Sequence, residues 1–450
     1  MWLTLASVAL AGAWFTWLLV RRTDGLADPT YDQAFFQQVA WSLDHGRGFS
    51  SSFTPGSFLG LHLEPLLLLP AALELAWPDP RLLDLLEAAA LAALAPAAYL
   101  FVRALTASAW TAAAIAAPLP FWPVVQEAAR AGFHPESLSS PLTLLAGWAG
   151  LSGRIAAMWP LAALALLGKE DQGYAVATVG LAVAAFGPRP ARRQALALAV
   201  LAALWGLLAV TVVMPWLRAG ATVDTDSYYR WLAHASPSSW LSALTRPEGW
   251  LVAAGMVACG GGLGLLRPGW LALALPPLVA DLLSAHDPQF HLHLQYGLPL
   301  LVPTLVASAA GARALPEANR SASGVLAVTA LLPLLLGFTV GRLPPALGAS
   351  GVEFDRPQAA GVLQRALGAI PLDAAVSADD GTAVFVAGRP QLALLPGGGA
   401  AAYVVVDRQA YLHGYVDVEG RRGRLDGLPA SGRTLIADSG RFEIWSPVGG

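Results

Sequence analysis

The sequence predicts an all-α polytopic membrane protein with about eleven transmembrane helices, followed by a small extracytoplasmic α/β domain at the C-terminal end. Hydrophobic residues make up 56% of the 450 residues. Apolar runs of roughly 17–25 residues, the length that crosses a bilayer, recur along most of the chain. These runs are continuous rather than alternating, which favours helices over the strands of a barrel. Beyond about residue 342 the apolar runs become too short to cross.

Composition also limits the classes of function. The formal net charge of -3 gives no electrostatic reason to expect a nucleic-acid partner. Cys259 is the only cysteine, so an intrachain disulfide cannot form. Only 13% of the residues are charged. Because a charge close to the membrane is costly unless it is paired or solvated, the few charged clusters are the first candidates for a functional site.

The first predicted element is a membrane-spanning helix over residues 2–20. Its apolar core has no basic region before it and is long enough to cross, so we interpret it as a retained span and not as a cleaved signal peptide. A large external loop, residues 21–61, follows. Residues 31–43 within it have helical spacing and an apolar stripe. This pattern predicts a helix in the membrane interface with its polar residues turned to water.

Residues 65–77 are apolar but span only roughly 20 Å as a helix, whereas the hydrocarbon core is ~30 Å thick. We therefore interpret this segment as a re-entrant or interfacial helix. The other predicted spans cover residues 82–102, 106–125, 137–152, 155–168, 172–187, 194–216, 249–266, 269–285, 296–312 and 323–341.

The distribution of arginines predicts the orientation in the membrane. Alternate short connections carry arginines, and the polar clusters fall on the opposite face. The positive-inside rule then places the arginines in the cytoplasm and the polar clusters outside. This orientation requires that residues 65–77 do not cross. If they do cross, Asp32 and His62 lie on the opposite face from Lys169.

The last part of the chain has the pattern of a small α/β fold. A helical pattern over residues 357–370 precedes short β-rich runs separated by glycine- and proline-containing turns. We therefore divide the chain into a transmembrane domain, residues 1–341, and a soluble extracytoplasmic α/β domain, residues 342–450. The predicted strands are residues 374–378, 383–387, 391–395, 403–407 and 441–445.

Three consecutive charged residues, Lys169, Glu170 and Asp171, stand between two apolar segments. Lys169 is the only lysine of the chain. Its compact ammonium group suits close contact with a phosphate or a carboxylate. The simpler interpretation is a charged loop between two helices.

Two further clusters share a His-x-Glu spacing beside a proline, one at His62 and Glu64 and the other at His134 and Glu136. A proline interrupts the helix and frees backbone groups that a site can use. The alternative is that each glutamate only stabilises the positive end of the following helix. Near the last spans, His291 belongs to a His-x-His pattern that could bind a divalent metal, although interfacial histidines are the simpler explanation.

Five motifs in order resemble a family of bacterial and archaeal polytopic membrane proteins classed as a domain of unknown function. That resemblance covers roughly residues 25–310, and those proteins in turn resemble the GT-C superfamily of integral-membrane glycosyltransferases. The motifs are Tyr31-Asp32 with Phe35, Phe36 and Gln38, then His45-Gly46-Arg47-Gly48, His62-x-Glu64-Pro65, Phe133-His134-Pro135-Glu136 and Lys169-Glu170-Asp171.

The resemblance to GT-C enzymes implies transfer of a sugar from a polyprenyl-phosphate donor to an envelope glycan, lipid or protein outside the plasma membrane. It also implies an acidic residue in the first external loop. Asp32 matches that position, with Asp24 and Asp28 as substitutes. A paired-acid signature is missing from this loop, so the base and the need for a divalent metal both stay open.

Sugar transfer would give the clusters distinct roles. A carboxylate, Asp32 or else Glu64, would take the proton of the acceptor hydroxyl. Lys169 would stabilise the charge of the departing phosphate. These three residues are the catalytic candidates. The candidates for substrate binding are His62, His134, Glu136, Glu170, Asp171, Arg47 and His291.

Two other classes of function compete with the glycosyltransferase. In a transporter or lipid-linked-sugar flippase, Lys169, Glu170 and Asp171 would line the substrate path. Transporters commonly contain internal repeats, whereas this sequence has no clear repeat and its polar clusters fall on one face. A non-catalytic envelope scaffold is the third alternative.

Overall fold

The computed structural model describes residues 2–223, 225–320, 322–414 and 416–449, and most of them are helical. Short 3₁₀ segments interrupt the helices at Pro65–Leu67, Leu119–Phe121, Trp231–His234, Leu263–Leu266, Ala272–Ala274, Leu294–Leu300, Gly351–Glu353 and Val384–Val386, and a π-helical turn lies at Ala209–Val213. The α-helices are α1 (Trp2–Asp24), α2 (Asp32–Asp44), α3 (Phe58–Leu61), α4 (Leu68–Glu74), α5 (Arg81–Thr106), α6 (Ala109–Ala116), α7 (Pro123–Ala131), α8 (Pro135–Leu151), α9 (Ile155–Leu166), α10 (Gln172–Phe186), α11 (Arg189–Leu208), α12 (Met214–Arg218), α13 (Thr225–Arg230), α14 (Pro237–Leu244), α15 (Pro247–Cys259), α16 (Pro268–Leu271), α17 (Leu275–Leu282), α18 (Asp287–Phe290), α19 (Leu301–Ala314), α20 (Glu317–Arg320), α21 (Ser323–Thr339), α22 (Ala360–Leu367), α23 (Asp380–Ala383) and α24 (Val418–Gly427).

Within the described residues, length and apolar composition qualify three helical stretches to cross a membrane: Arg81–Thr106, Arg189–Arg218 and Leu294–Ala314. The predicted count of about eleven spans is therefore not confirmed. Shorter apolar helices lie at Pro65–Glu74, Ile155–Leu166, Gln172–Phe186, Pro268–Leu282 and Ser323–Thr339.

Prolines explain why one of the predicted spans is broken. In the predicted span 106–125, α6 ends at Ala116, and Pro118, Pro120 and Pro123 follow it. A proline removes a backbone donor and clashes with the preceding turn, so a continuous helix cannot form through this stretch. The chain instead makes a short 3₁₀ turn before α7 begins.

The centre of the bundle is α5, which packs against α1, α6 and α8. Small residues allow the helices to approach each other closely. At Gly147 a Cβ would overlap the Phe101 ring of α5 and a methyl of Val179 in α10, so only glycine fits between the helices there. Such small residues are typical of helix contacts inside membranes, where packing replaces the hydrophobic effect as the driving force. This packing positions the beginning of α8, which carries part of the candidate site.

A five-stranded sheet lies in residues 342–449, which we call the C-terminal region. The strand order is β2-β1-β3-β5-β4, with β1 parallel to both β2 and β3 and β5 antiparallel to β3 and β4. The division of the chain into two domains at residue 341 stays a prediction. The strands are β1 (Val376–Ala378), β2 (Leu392–Leu394), β3 (Tyr403–Asp407), β4 (Leu435–Asp438) and β5 (Phe442–Trp445).

Four of the five strands predicted here are present. The prediction of a strand at residues 383–387 is wrong, because this apolar run continues α23 as a 3₁₀ turn. The helix predicted over residues 357–370 is present as the shorter α22. The sequence interpretation missed α24 and β4.

The C-terminal region packs directly on the first loop. Leu26 and Ala34 of that loop belong to the same buried apolar cluster as Leu363 and Val405. The Ser52 hydroxyl donates to the backbone oxygen of Leu392 at 2.6 Å and accepts from its N–H at 2.9 Å. The loop is therefore enclosed between the helical bundle and the sheet.

This enclosure corrects one expectation about α2. The helix forms as predicted, but its glutamines do not face water: Gln33, Gln37 and Gln38 are all buried. Gln33 donates to Asp84 at 3.1 Å, and Gln37 donates to Glu74. Gln38 donates to Ser52 and to a backbone oxygen of the C-terminal region. Buried amides need such partners, and the surrounding elements supply them.

Candidate functional site

The loop between α9 and α10 brings Lys169 to the beginning of α8. The loop approaches α8 closely at Gly168, where a Cβ would overlap the Ser139 side chain. Only glycine permits this approach. The following residue, Lys169, therefore reaches Glu136 in the first turn of α8.

Lys169 is buried, with 7% of its surface exposed, and three groups surround its ammonium. Its Nζ donates to Glu136 Oε1 at 2.7 Å and lies 4.0 Å from Glu64 Oε1. The ammonium also lies 6.0 Å from the centroid of the Tyr296 ring. Burial alone would lower the pKa of Lys169, but the carboxylates, with Glu136 first, hold that pKa well above its ordinary value. Lys169 is therefore charged.

The next residue, Glu170, ties this loop to residues 62–63. Its Oε1 lies 3.0 Å from His62 Nδ1, and its Oε2 accepts from the Leu63 N–H at 2.9 Å. Burial raises the pKa of Glu170, but the charge and the hydrogen bond of His62 outweigh burial and lower it to about 2. Glu170 is therefore an ionised anchor that aligns the loop with the Glu64 segment.

The carboxyl groups of Glu64 and Asp171 are both close to Lys169. Glu64 is 1% exposed, and neither of its oxygens has a hydrogen-bond partner among the described residues. Burial, followed by the nearby charge of Glu136, raises the pKa of Glu64 well above its ordinary value. Burial also raises the pKa of Asp171 to about 6, although Lys169 opposes the shift. Carboxyl groups thus outnumber the single ammonium.

A second pair, Asp32 and His134, lies beside this group. Asp32 Oδ2 is 3.7 Å from His134 Nε2 and accepts from the Thr30 hydroxyl at 2.9 Å. His134 Nδ1 donates to the Gly132 backbone oxygen at 3.0 Å, so this nitrogen carries a proton and Nε2 faces Asp32. Phe36 packs edge-on against the imidazole at 5.3 Å. The imidazole is buried, whereas the Asp32 side chain is 30% exposed.

The two members of this pair shift each other's pKa. Burial would lower the pKa of His134, but the contact with Asp32 and the charge of Glu136 raise it. Burial would raise the pKa of Asp32, but the interaction with His134 outweighs it and lowers that pKa. The pair therefore favours an ionised Asp32 beside a protonated His134.

Glu87 of α5 holds the beginning of α8 in place. Its Oε2 accepts from the His134 N–H at 3.2 Å, and its Oε1 accepts from the Ser137 hydroxyl at 2.7 Å. Because His134 and Glu136 flank Pro135, this contact orients both groups of the site. The sequence interpretation missed Glu87, although an acidic residue inside an apolar run is itself a signal. It also missed Tyr296, for which the sequence gives no signal.

Residues 22–416 match the family model of predicted membrane proteins called DUF2079. The chain belongs to the DUF2079 family. The matched range contains all ten predicted site residues. A search of curated proteins gives no match. Membership makes the chain a membrane protein of a family of unknown function, and it does not connect the chain to the GT-C enzymes.

Eight of the ten site candidates converge in this DUF2079 protein, and two do not. Arg47 is exposed and stacks on Trp41 at 5.2 Å. His291 stacks on His293 at 5.3 Å and lies 3.3 Å from Asp287. The functional roles of all ten stay predictions. The converging residues are Asp32, His62, Glu64, His134, Glu136, Lys169, Glu170 and Asp171.

A bound zinc ion needs at least three protein ligands. In the part of the chain that the structure describes, no group of three or more His, Cys, Asp or Glu side chains is arranged to hold a metal ion. The His-x-His pattern at His291 and His293 has no third ligand of this kind in those residues. The metal proposed from the sequence stays a prediction without a ligand set.

The Asp32–His134 pair has a testable pH dependence. The charged pair exists at pH values between the lowered pKa of Asp32 and the raised pKa of His134. It is lost when His134 loses its proton as the pH rises, and when Asp32 gains a proton as the pH falls. We expect Asp32→Asn to lower the pKa of His134, because the substitution removes a carboxylate that favours the imidazolium. An NMR titration of histidine-labelled protein, assigned with His134→Gln, measures this shift. Asp287→Asn should leave the His134 signal unchanged, and an unshifted midpoint in Asp32→Asn would contradict the pairing.

Proposed function

We propose that this protein is a plasma-membrane glycosyltransferase of the GT-C type with about eleven spans and its C-terminal region outside. It transfers a sugar from a polyprenyl-phosphate donor to an envelope glycan, lipid or protein. One observation carries the proposal: an ionised, partly exposed Asp32 stands beside a buried lysine–glutamate group that has unpartnered carboxyl oxygens. Membership in a family of membrane proteins is compatible with this function and does not by itself argue for it.

Asp32 is positioned to act as a general base, and its lowered pKa makes it a weaker base than a free aspartate. It is ionised, its side chain is partly open to solvent, and His134 and Thr30 hold it in position. In the proposed reaction the acceptor oxygen bonds to the anomeric carbon of the sugar while its proton moves to Asp32. The bond between that carbon and the phosphate oxygen breaks, and polyprenyl phosphate leaves with the electron pair.

The carboxyl groups around Lys169 have the properties of a sugar subsite. Both oxygens of Glu64 and the Oε2 of Glu136 have no hydrogen-bond partner among the described residues. Leaving a buried polar atom unpaired costs about 1–3 kcal/mol. The hydroxyl groups of a sugar would satisfy these oxygens. Lys169 and His62 would stabilise the charge that develops on the departing phosphate.

A transfer assay tests the proposal directly. Membranes that contain Asp32→Asn should transfer radiolabelled sugar from a polyprenyl-phosphate donor about 100-fold more slowly than the unchanged protein, since a general base contributes at least that factor. The substitution keeps the size of the side chain and removes its charge. Asp287→Asn is the matched control, because Asp287 also stands beside a histidine, 3.3 Å from His291, but outside the site. Equal rates for Asp32→Asn and the unchanged protein would refute the assignment.

One observation favours a transporter as the second candidate. Glu64 and Asp171 have raised pKa values beside a charged lysine, an arrangement that suits a carrier whose carboxyl groups exchange protons. Uptake into proteoliposomes, measured on the same preparation, separates the two functions. Uptake that depends on Glu64, without any sugar transfer, would favour the transporter.

A further inference from the structure

A groove of about 550 Å³ runs along one side of α1. Small residues, Gly12 and Ala13, line its apolar end, and Ala13 is exposed at the molecular surface. Trp17, which is 58% exposed, stands beside the upper part of the groove. The groove is lined by Gly12, Ala13, Thr16, Trp17, Val20, Arg21, Asp24 and Gln358.

The length of the groove matches one leaflet of a bilayer. From Gly12 to Arg21 the helix rises about 14 Å at 1.5 Å per residue. Half of a hydrocarbon core that is ~30 Å thick is about 15 Å. With α1 as the predicted first span, the apolar part of the groove therefore has the length of one acyl chain of a leaflet.

The polar end of the groove contains the guanidinium of Arg21. Asp24 is paired with Arg81 at 2.6 Å, and Arg81 also contacts Asp79 at 2.8 Å. Arg21 donates from Nε to the Phe354 backbone oxygen at 2.5 Å, and its guanidinium lies 5.6 Å from the centroid of the Trp17 ring. In the residues that the structure describes, Arg21 has no ion pair with a carboxylate. A planar guanidinium matches the oxygens of a phosphate group, and tryptophan is typical of the headgroup level.

We propose that this groove is a binding site for an anionic glycerophospholipid. One acyl chain lies along Gly12, Ala13 and Thr16, and the phosphate contacts Arg21. The Gln358 side chain of the C-terminal region donates to the Arg21 backbone oxygen at 3.1 Å, so the lipid headgroup lies where α1 and that region meet. The site is separate from the proposed sugar-transfer site and does not depend on it.

Native mass spectrometry of the full chain in detergent tests the site. Phosphatidylglycerol should bind more tightly than phosphatidylcholine with the same acyl chains. Arg21→Gln should weaken the binding of phosphatidylglycerol about tenfold, as expected for the loss of a hydrogen-bonded charge, and should bring it close to that of phosphatidylcholine. Ala13→Trp should reduce the binding of both lipids, because the larger side chain fills the groove from an exposed position without entering the core.

Arg154→Gln is the matched control. Arg154 is an exposed arginine that, like Arg21, lies over a tryptophan, 4.7 Å from the centroid of the Trp148 ring, but it does not line the groove. Equal affinity for the two lipids would overturn the proposal, and so would an unchanged affinity in Arg21→Gln or an equal loss in Arg154→Gln. Displacement of phosphatidylglycerol by a polyprenyl phosphate at lower concentration would also overturn it, since the groove would then belong to a different lipid.

Discussion

Replacing Lys169 by methionine is expected to destabilise the protein by about 3–5 kcal/mol, the cost of leaving a buried charge without its partner. Methionine keeps the length and the apolar stem of the side chain but removes the ammonium that contacts Glu136 at 2.7 Å. Glu64 and Glu136 would then face each other with no cation between them. Thermal unfolding of the purified protein, followed by circular dichroism, measures the loss.

Two further measurements separate this electrostatic cause from a packing defect. The loss in Lys169→Met should shrink as the pH falls, because a protonated Glu136 needs no counter-charge. Adding Glu136→Gln should recover part of the stability for the same reason. Arg47→Met is the control cation, since Arg47 is exposed and lies over the Trp41 ring, away from any of the converging site residues. If Lys169→Met unfolds like the unchanged protein at neutral pH, the ion pair contributes nothing to stability.

The convergence of the site could be predicted from the cost of charge near a membrane. The sequence places Asp32, His62, His134 and Lys169 in polar stretches between apolar runs, and the predicted orientation puts those stretches on one face. This reasoning also requires that residues 65–77 do not cross the membrane, which stays a prediction. It predicts which residues lie close together but not which atoms contact each other. In the structure the four side chains lie close together.

The pairing among these residues could not be predicted. Lys169 forms its hydrogen bond with Glu136 and not with Glu64, and Glu170 contacts His62. These pairings arise because the loop that carries Lys169 and Glu170 approaches α8 at Gly168. That approach depends on how two distant helices pack. No local sequence pattern predicts that packing.

Burial that comes from distant parts of the chain misled the sequence interpretation in a similar way. The glutamines of α2 form a polar face, which normally indicates exposure to water. The C-terminal region and α4 cover that face, and Gln37 and Gln38 find partners there. The run at residues 383–387 shows a second limit, because a short apolar run fits a strand or a buried helical turn equally well. By contrast, residues 403–407 form β3 with the predicted bounds, since consecutive β-branched valines favour a strand.

The second large loss of stability is expected at the contact between the C-terminal region and the helical bundle. Arg130 at the end of α7 contacts Glu353 through two nitrogens, at 2.7 and 3.1 Å, and Glu353 is 1% exposed. The Tyr411 hydroxyl also donates to Glu353 at 3.0 Å. This buried carboxylate therefore joins the bundle to two separate segments of the C-terminal region.

Arg130→Met should release this attachment at a cost of about 3–5 kcal/mol, because Glu353 would stay buried without its cation. We expect faster proteolysis of the segment that connects α21 to α22, and faster hydrogen exchange in β3, than in the unchanged protein. Arg408→Met is the matched control, since Arg408 also contacts two carboxylates, Asp438 and Glu443, but at the exposed surface, where an ion pair contributes little. Equal cleavage rates in Arg130→Met and Arg408→Met would mean that the other contacts of the region, the apolar packing around Leu26 and the hydrogen bonds of Ser52 and Gln358, hold it in place without the ion pair. A selective effect of Arg130→Met would instead show that the ion pair contributes to the attachment, because the other contacts are the same in both variants.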